Sequence, residues 1–345
     1  MTPLPIAPQE ATKQLLKKLS SRRMRDVLEK RFALKGGAKK TLEAVGREYK
    51  ITRERVRQIE AEALKQVARP ENLADAAPLY EAIEAHLKNH GGVMGERHLL
   101  VSLADTRHHA HLKLLLDVHK GFHLIPEDDL YQARWTTQKV AAEILERSLA
   151  SVVSDFETGK RLMSRDELID LVRTHVHEHA GVMPNDSHCD AVVNISKLIR
   201  KNPYDEYGLV GWPAINPSGV KDKAYAVFSR VAKPMHFRDV AVAIDQAGWT
   251  KKKAHPQTVH NELIKDARFV LVGRGLYALR EWGYEPGMVR DVIVSVLREA
   301  KRALSVGDII RAVLAKRLVK APTILLNLQN KKYFKRTGED IYALV

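Results

Sequence analysis

The sequence has a single cysteine, Cys189, among 345 residues, and only 6% of its residues are aromatic. One cysteine cannot form a disulfide within the chain, which predicts a protein of the reducing cytoplasm. No apolar run reaches the roughly 18 residues that a membrane-spanning helix needs. The stretch from Met1 to Gln9 lacks the basic and apolar parts of a signal peptide. We therefore expect no membrane association.

Catalytic patterns are also missing from the sequence. No Ser/His/Asp set, paired carboxylates or nuclease-like acidic cluster stands out, so we expect no enzyme activity and no cofactor. His175 and His179 share a helix face at the spacing that zinc sites use, close to His188 and Cys189. No Cys-x-x-Cys or His-Glu-x-x-His accompanies them. We therefore predict no metal site, while metal binding near residues 175–188 stays open.

Positive charge is abundant and unevenly placed. The chain carries 57 Lys and Arg against 42 Asp and Glu, a formal net charge of +15. Residues 11–69 hold 18 basic and 7 acidic side chains, residues 220–345 hold 24 and 12, and residues 70–219 hold 15 and 22. The basic ends predict contact with a polyanion such as DNA. The acidic middle repels phosphate, so we expect it to contact protein or to space the ends apart.

Apolar spacing and turn residues predict one helical segment followed by four longer ones. Up to about Arg69 the apolar positions recur at helical spacing, with a helix stop at Lys35-Gly36-Gly37. Each later segment starts with helices and ends in a short β-like pair, the pattern of a winged helix and its wing. The pairs are predicted at 121–131, 202–212, 269–277 and 333–342. Four unrelated α+β fragments are the alternative.

These patterns predict a mainly α-helical fold: a helix-turn-helix followed by about four winged-helix-like modules with short β-hairpin wings. The predicted limits are 11–70 for the helix-turn-helix and 75–136, 138–216, 218–284 and 286–345 for the winged modules.

Residues 41–69 are typical of two helices joined by a short turn. In the second helix, Thr52 is a plausible N-cap, and the apolar side chains share one face: Val56, Ile59, Ala63 and Val67. The polar side chains expected on the opposite, base-facing side are Arg53, Glu54, Arg55, Arg57 and Gln58. Arg can bind guanine, Gln adenine and Glu cytosine in the major groove. The side chains expected at DNA phosphates are Lys39, Lys40, Arg47 and Thr52. A solvated helical hairpin is the alternative.

Two stretches carry a closer likeness to a known family. They are Arg23-Met-Arg-Asp-Val-Leu-Glu-Lys-Arg-Phe32, and Thr41-Leu-Glu-Ala-Val-Gly46 followed by Ile51-Thr-Arg-Glu-Arg-Val-Arg-Gln-Ile-Glu-Ala-Glu-Ala-Leu64. Together they resemble region 4 of sigma factors of the sigma-70 class. In that family the module reads the −35 promoter element and docks on the β flap of RNA polymerase. The resemblance implies that the five polar side chains face DNA, and that apolar positions such as Leu28 and Phe32 support the fold and contribute to docking.

The position of this module departs from the sigma pattern. In sigma factors it follows a domain that melts DNA, whereas here it comes first, and nothing later shows the aromatic-rich basic helix of that domain. We therefore do not expect a free-standing initiation factor.

Residues 221–283 carry a second resemblance. Their matching stretches are Pro234-Met-His-Phe-Arg-Asp-Val-Ala-Val-Ala-Ile244, Thr258-Val-His-Asn-Glu-Leu263 and Arg268-Phe-Val-Leu-Val-Gly-Arg-Gly-Leu-Tyr-Ala-Leu279. They resemble the HARE-type winged helix, a family that is generally linked to DNA. The basic residues that precede its third helix or lie at its wing tip suit phosphates: Lys251, Lys252, Lys253 and Arg274. A merely solvated face is the alternative. The basic last segment resembles the same fold loosely and favours non-specific DNA contact.

The sequence as a whole favours a sequence-specific, sigma-like bacterial transcription regulator, cytoplasmic and nucleoid-associated. Its expected partners are double-stranded DNA with a −35-like element and core RNA polymerase, through the β flap. One alternative is a delta-like polymerase accessory subunit that acts mainly by protein contacts. Another is a component of a DNA-modification system. Target promoters, the sign of regulation and the oligomeric state are not determined by the sequence.

Overall fold

The computed structural model describes residues 3–249, 252–284, 287–317 and 319–345. These residues form mainly α-helices with short antiparallel strands, as the sequence predicts. Contacts divide the chain into two compact units. The first holds Met1–Arg200 and Tyr207–Val210, and the second holds Lys201–Glu206 and Gly211–Val345.

The first unit opens with five helices: α1 (Pro8–Lys17), α2 (Arg22–Phe32), α3 (Leu42–Tyr49), α4 (Arg53–Val67) and the short α5 (Pro70–Leu73). Hydroxyl side chains cap three of them, because Ser21, Thr41 and Thr52 each accept a hydrogen bond from a backbone N–H in the first turn. Helix α2 ends before the predicted stop at Lys35-Gly36-Gly37. The reason is that Ala33 adopts a left-handed conformation and the Leu34 N–H donates to the Glu29 carbonyl.

The rest of the first unit contains two runs of helices and strands. The first run is α6 (Ala77–Asn89), β1 (Val93–Gly95), α7 (Glu96–Leu103), α8 (His109–Val118), β2 (His123–Ile125) and β3 (Arg134–Thr136). The second is α9 (Lys139–Gly159), α10 (Arg165–Ala180), α11 (Asp186–Ile195), β4 (Ile199–Lys201) and β5 (Tyr207–Leu209). The strands of the first run pair antiparallel in the order β1-β3-β2, and β4 pairs with β5.

The second unit also contains two such runs. The first is α12 (Val220–Val231), β6 (Met235–His236), α13 (Phe237–Ala247), α14 (Pro256–Lys265), β7 (Phe269–Gly273) and β8 (Leu276–Leu279). The second is α15 (Val289–Ala300), β9 (Leu304–Ser305), α16 (Val306–Lys316), α17 (Ala321–Leu328), β10 (Phe334–Gly338) and β11 (Ile341–Leu344). Their sheets have the orders β6-β8-β7 and β9-β11-β10.

All four runs therefore share one element order: helix, short strand, helix, helix and two strands. In the second run the short strand is reduced to a single bridge between Met163 and Tyr207. The sequence patterns predicted a pair of strands at the end of each run. They missed the short strand that follows the first helix of a run, because two or three residues are too few to show a period. Two predicted pairs were misplaced: 121–131 ends before β3 begins, and 202–212 begins after β4 ends. The domain limits remain a prediction.

Helix α8 packs against the N-terminal helices of its unit. Leu114 and Val118 of α8 belong to an apolar cluster with Leu16 of α1, Leu28 of α2 and Val67 of α4. All five side chains are at most 5% exposed, so the cluster is shielded from solvent. This contact fixes the helix-turn-helix to the run that follows it.

We expect Leu114→Ala to lower the free energy of unfolding of the first unit by about 2–5 kcal/mol, because it leaves a cavity in this cluster. Leu124→Ala is the matched control, since Leu124 is 43% exposed and Leu114 only 1%. Urea unfolding of the full chain, followed by circular dichroism, measures both. Equal losses for the two variants would show that the α8 contact does not hold this unit together.

Candidate nucleic-acid interface

Helices α3 and α4 form the helix-turn-helix around a small apolar core of Val27, Val45, Val56 and Ile59. The turn between them is tight, and Lys50 closes α3 in the left-handed conformation. A Cβ atom on Gly46 would lie 2.7 Å from the carbonyl oxygen of Ile51. Glycine at this position therefore lets the turn lie directly against α3.

An ionic network holds α2 against α3. The Lys30 ammonium lies 2.7 Å from a carboxylate oxygen of Asp26 and 2.8 Å from one of Glu48. The hydrogen bonds that Lys30 donates to Asp26 and then to Glu48 raise the pKa of Lys30. Burial opposes ionisation of Asp26, but hydrogen bonds from Lys30 and Tyr49 nevertheless lower the pKa of that carboxyl group. The network supports the orientation of the helix-turn-helix, and sequence reasoning missed it although Asp26 and Lys30 have helical i,i+4 spacing.

The first turns of α4 present the expected polar side chains to solvent. The exposed residues are Arg53, Glu54, Arg55, Arg57 and Gln58. On the other face Val56 is fully buried and Ile59 is 7% exposed. The structure therefore brings the five predicted base-facing residues together on one accessible surface, which we call the α4 face.

Two intrahelical pairs order the α4 face. The Arg57 guanidinium donates to both carboxylate oxygens of Glu54, at 2.9 and 2.7 Å. The hydrogen bond from Arg57 lowers the pKa of Glu54. Arg55 donates to the side-chain oxygen of Gln58 at 3.1 Å. Such exposed pairs contribute little stability, so each arginine can exchange its partner for a base or a phosphate at small cost.

The residues of this module that are expected to contact phosphate differ in the partners that they have within the fold. Lys39 is exposed, and its ammonium lies 5.8 Å from the centre of the Phe32 ring. Lys40 pairs with Glu48, and Arg47 pairs with Glu43. The Thr52 hydroxyl accepts a hydrogen bond from the Arg55 N–H as the N-cap of α4. Of the three basic residues, Lys39 is therefore the one that forms no salt bridge with the described residues.

The second unit presents another group of basic and polar side chains. Arg274 is exposed at the turn between β7 and β8, and Lys252 and Lys253 are exposed ahead of α14. Lys251 lies outside the described residues. Helix α14 also exposes three uncharged polar side chains that sequence reasoning missed: Gln257, Thr258 and Asn261. The i,i+4 spacing of the two amides could have indicated a shared face.

The third helices of the acidic middle are buried inside the first unit. Six of the ten residues of α8 are buried, and so are four of the ten in α11. Helix α11 lies against β1, where a Cβ on Gly95 would be 3.6 Å from a side-chain carbon of Ile195. In DNA-binding helix-turn-helix proteins the corresponding helix enters the major groove. Neither α8 nor α11 is free to do so.

The histidines near residue 175 have ordinary polar partners. His175 bonds to Asp155 through Nε2 and to Glu178 through Nδ1, at 2.7 and 2.8 Å. His179 bonds to Ser151, and Cys189 is buried. Within the described residues no group of three or more His, Cys, Asp or Glu side chains could hold a metal ion.

A second histidine cluster, which sequence reasoning missed, joins the two middle runs. The rings of His86 and His90 lie 4.4 Å apart, and those of His90 and His98 lie 6.0 Å apart. The ring of His188 from α11 lies directly over Gly91. Burial, followed by repulsion from His90, lowers the pKa of His86 to about 4. The same causes lower the pKa values of His98 and His188. The sequence alone does not reveal this cluster, because α6, α7 and α11 each supply part of it and meet only in the folded chain.

Comparison with known families identifies two segments of the chain. Residues 8–69 match the family model of sigma-70, region 4. Residues 219–282 match that of the HARE-HTH domain, a helix-turn-helix domain named in part after restriction endonucleases. Both resemblances inferred from the sequence are therefore confirmed, and they indicate a DNA-binding function related to transcription. The matched families are DNA-binding rather than catalytic.

The curated relatives match the region 4 segment alone. RNA polymerase sigma factor SigA of Clostridium acetobutylicum is 51% identical over 59 residues, which cover 16% of this chain and 16% of the relative. RNA polymerase sigma factor RpoD of Neisseria gonorrhoeae is 46% identical over 61 residues, 18% of this chain and 9% of the relative. SigA1 of Synechococcus elongatus is 52% identical over 50 residues, covering 14% and 12%. The chain therefore spans less than a fifth of these relatives.

The described part of the chain contains no helix that is both long and apolar enough to cross a membrane.

The histidine cluster generates a prediction about pH. His86, His98 and His188 have lower pKa values in the fold than the ordinary value of 6.5, so between these values the unfolded chain binds more protons. Stability from these groups is present above pH 6.5 and is lost as the pH falls below that value, in the case of His86 toward about 4. We expect His86→Gln to reduce the loss of urea stability between pH 7.5 and pH 5.0. His123→Gln, at an exposed site, should leave that loss unchanged. A pH dependence identical in both variants would exclude the cluster as its source.

Proposed function

We propose that the protein is a sigma-like bacterial transcription regulator that reads a short, −35-like promoter element with the α4 face. The observation that carries this proposal is the accessibility of Arg53, Glu54, Arg55, Arg57 and Gln58 on the first turns of the second helix of a helix-turn-helix. Such helices place their N-terminal residues against base edges in the major groove. The match to sigma-70 region 4 supports the same surface.

The chemistry of the α4 face suits base recognition. Arg57 can donate two hydrogen bonds to guanine, and Gln58 can bond adenine through both of its amide atoms. Lys39 and the Thr52 hydroxyl would contact phosphates on either side and set the register of α4 in the groove.

Helix α14 and the wing of β7 and β8 would hold DNA beside the promoter element. The exposed amides of Gln257 and Asn261 suit base edges, whereas Lys252, Lys253 and Arg274 suit phosphates. The match of residues 219–282 to a DNA-linked winged-helix family supports this role. With DNA bound at both ends of the chain, the protein would lie on the nucleoid in the cytoplasm.

Contact with RNA polymerase is the second part of the proposal, and the structure constrains it. The relatives are named RNA polymerase sigma factors, and in their family region 4 docks on the β flap. Here Leu28, expected to contribute to such docking, is fully buried in a cluster with Leu114 and Val118 of α8, and Phe32 is half-buried. Leu28 is therefore inaccessible to a partner in this fold, whereas Phe32 keeps part of its surface exposed. This favours DNA reading over an accessory subunit that acts through the flap alone.

Substitutions on α4 should separate base reading from phosphate binding. Arg57→Ala or Gln58→Ala should weaken binding to the preferred site by roughly 5- to 150-fold, equivalent to about 1–3 kcal/mol for a bidentate base contact. Binding to unrelated DNA should change much less, especially for the uncharged Gln58. Competition titration on a randomised site library measures the preference directly.

Lys39→Ala should do the reverse, weakening all sequences alike and lowering the log–log salt slope by about 0.9. Lys65→Ala, at an exposed position near the C-terminal end of α4, is the control and should change neither quantity. If Arg57→Ala and Gln58→Ala left the preferred sequence intact, α4 would not be reading bases, and the accessory-subunit alternative would be favoured.

The protein mixed with core RNA polymerase should not start transcription at a promoter with −10 and −35 elements. The reason is that the matched segment is region 4 alone, and no segment resembling the melting domain of sigma factors was found in the sequence. Run-off transcription with SigA as the positive control measures this. Start-site-specific transcripts from the mixture without SigA would contradict the prediction.

A further inference from the structure

A cavity of about 640 Å³ lies within the first unit, between the two runs of the acidic middle. Arg97 and His98 of α7 line one side of it, and Asn194 of α11 and Arg200 of β4 line the other. Gln132, which comes just before β3, also contributes to the wall. Ligand sites for small molecules typically measure about 300–1,000 Å³, so the cavity has the size of a metabolite site.

The arginines of the cavity have no acidic partner. Arg97 is exposed and forms no ion pair or hydrogen bond with the residues that the structure describes. Arg200 donates through Nη1 to the carbonyl oxygens of Ser196 and Ile199, at 2.7 and 3.0 Å, and no described carboxylate neutralises it. Both positive charges therefore remain available to a ligand.

The two carboxylates in the same wall are already engaged. Glu96 pairs with Lys113 and accepts a hydrogen bond from the Trp135 indole. Glu127 lies 3.6 Å from the Lys197 ammonium. The cavity consequently keeps two uncompensated cations inside a segment, residues 70–219, with 15 basic and 22 acidic side chains.

We propose that this cavity binds a small organic phosphate, with Arg97 and Arg200 on the phosphate oxygens and Gln132 and Asn194 on the hydroxyl or amide groups of the ligand. Guanidinium groups fit phosphate with paired hydrogen bonds, and they keep their charge at every physiological pH. Val101, which lines the cavity and is 53% exposed, offers an apolar surface to the carbon skeleton of the ligand.

The ligand would join parts of both middle runs. It would contact α7 of the first run together with α11 and β4 of the second. A ligand that binds only the folded chain stabilises it by mass action, so occupancy of the cavity should raise the stability of the first unit. This inference does not depend on the proposed reading of DNA by α4.

Isothermal titration of the full chain at constant ionic strength tests the proposal, with inorganic phosphate, adenosine 5′-monophosphate and glucose 6-phosphate as probes. We expect saturable binding of at least one organic phosphate, tighter than that of inorganic phosphate, with a matching rise in the unfolding temperature. The first organic probe represents nucleotides and the second represents sugar phosphates, so their relative affinity identifies the source.

Arg97→Gln should weaken that binding at least tenfold, and Arg200→Gln should do the same. Because Arg200 also bonds to the backbone, Arg97→Gln is the decisive variant, and circular dichroism confirms that it folds. Arg147→Gln is the matched control, since Arg147 is exposed in α9 and does not line the cavity. Absence of saturable binding by all three probes would overturn the proposal. Binding that Arg97→Gln leaves unchanged would also overturn it. Binding of an acidic peptide, with no binding of the three phosphate compounds tested, would overturn it as well and would indicate a protein partner.

Discussion

The packing of α8 against α1, α2 and α4 is the contact on which the rest of the first unit depends. Leu114 and Val118 enter the cluster that contains Leu28 and Val67, and all four side chains are at most 4% exposed. This contact covers one side of the helix-turn-helix with apolar surface and leaves the first turns of α4 free on the other side. It also makes α8 unavailable to a groove of DNA, because the side chains that would face the groove are buried in the packing contact.

The charge distribution separates the same two segments of the chain as the packing does. The basic residues 11–69 contain a helix whose polar turns are open to solvent, whereas the acidic residues 70–219 bury both of their third helices. A DNA phosphate is attracted to the first of these segments and repelled by the second, and neither effect depends on sequence recognition. On α4 itself, the exposed side chains of Arg57 and Arg55 donate hydrogen bonds to Glu54 and Gln58.

The helix-turn-helix and its polar face could be predicted from sequence because both are local. Thr52 is a cap residue by its type, and Val56 and Ile59 recur at helical spacing, so the opposite face follows from geometry. The partner of α8 could not be predicted in this way. Four leucines at positions 112 and 114–116 show that α8 is buried but not which element covers it. The histidine cluster and the cavity beside Arg97 were missed for the same reason, since each is assembled from elements distant in sequence.

The four runs share one element order, but their third helices differ in composition and burial. In α8 and α11 the helix carries Leu, Val, Ile and Cys on the side that meets a neighbour, so burial stabilises the unit through the hydrophobic effect. In α14 the exposed side carries Gln257, Thr258 and Asn261. Apolar burial does not stabilise these polar side chains, but they can form hydrogen bonds with base edges in place of water. A repeated fold can therefore place recognition at its basic ends and use its middle copies as a scaffold. The number of winged-helix-like runs alone does not reveal how many of them bind DNA.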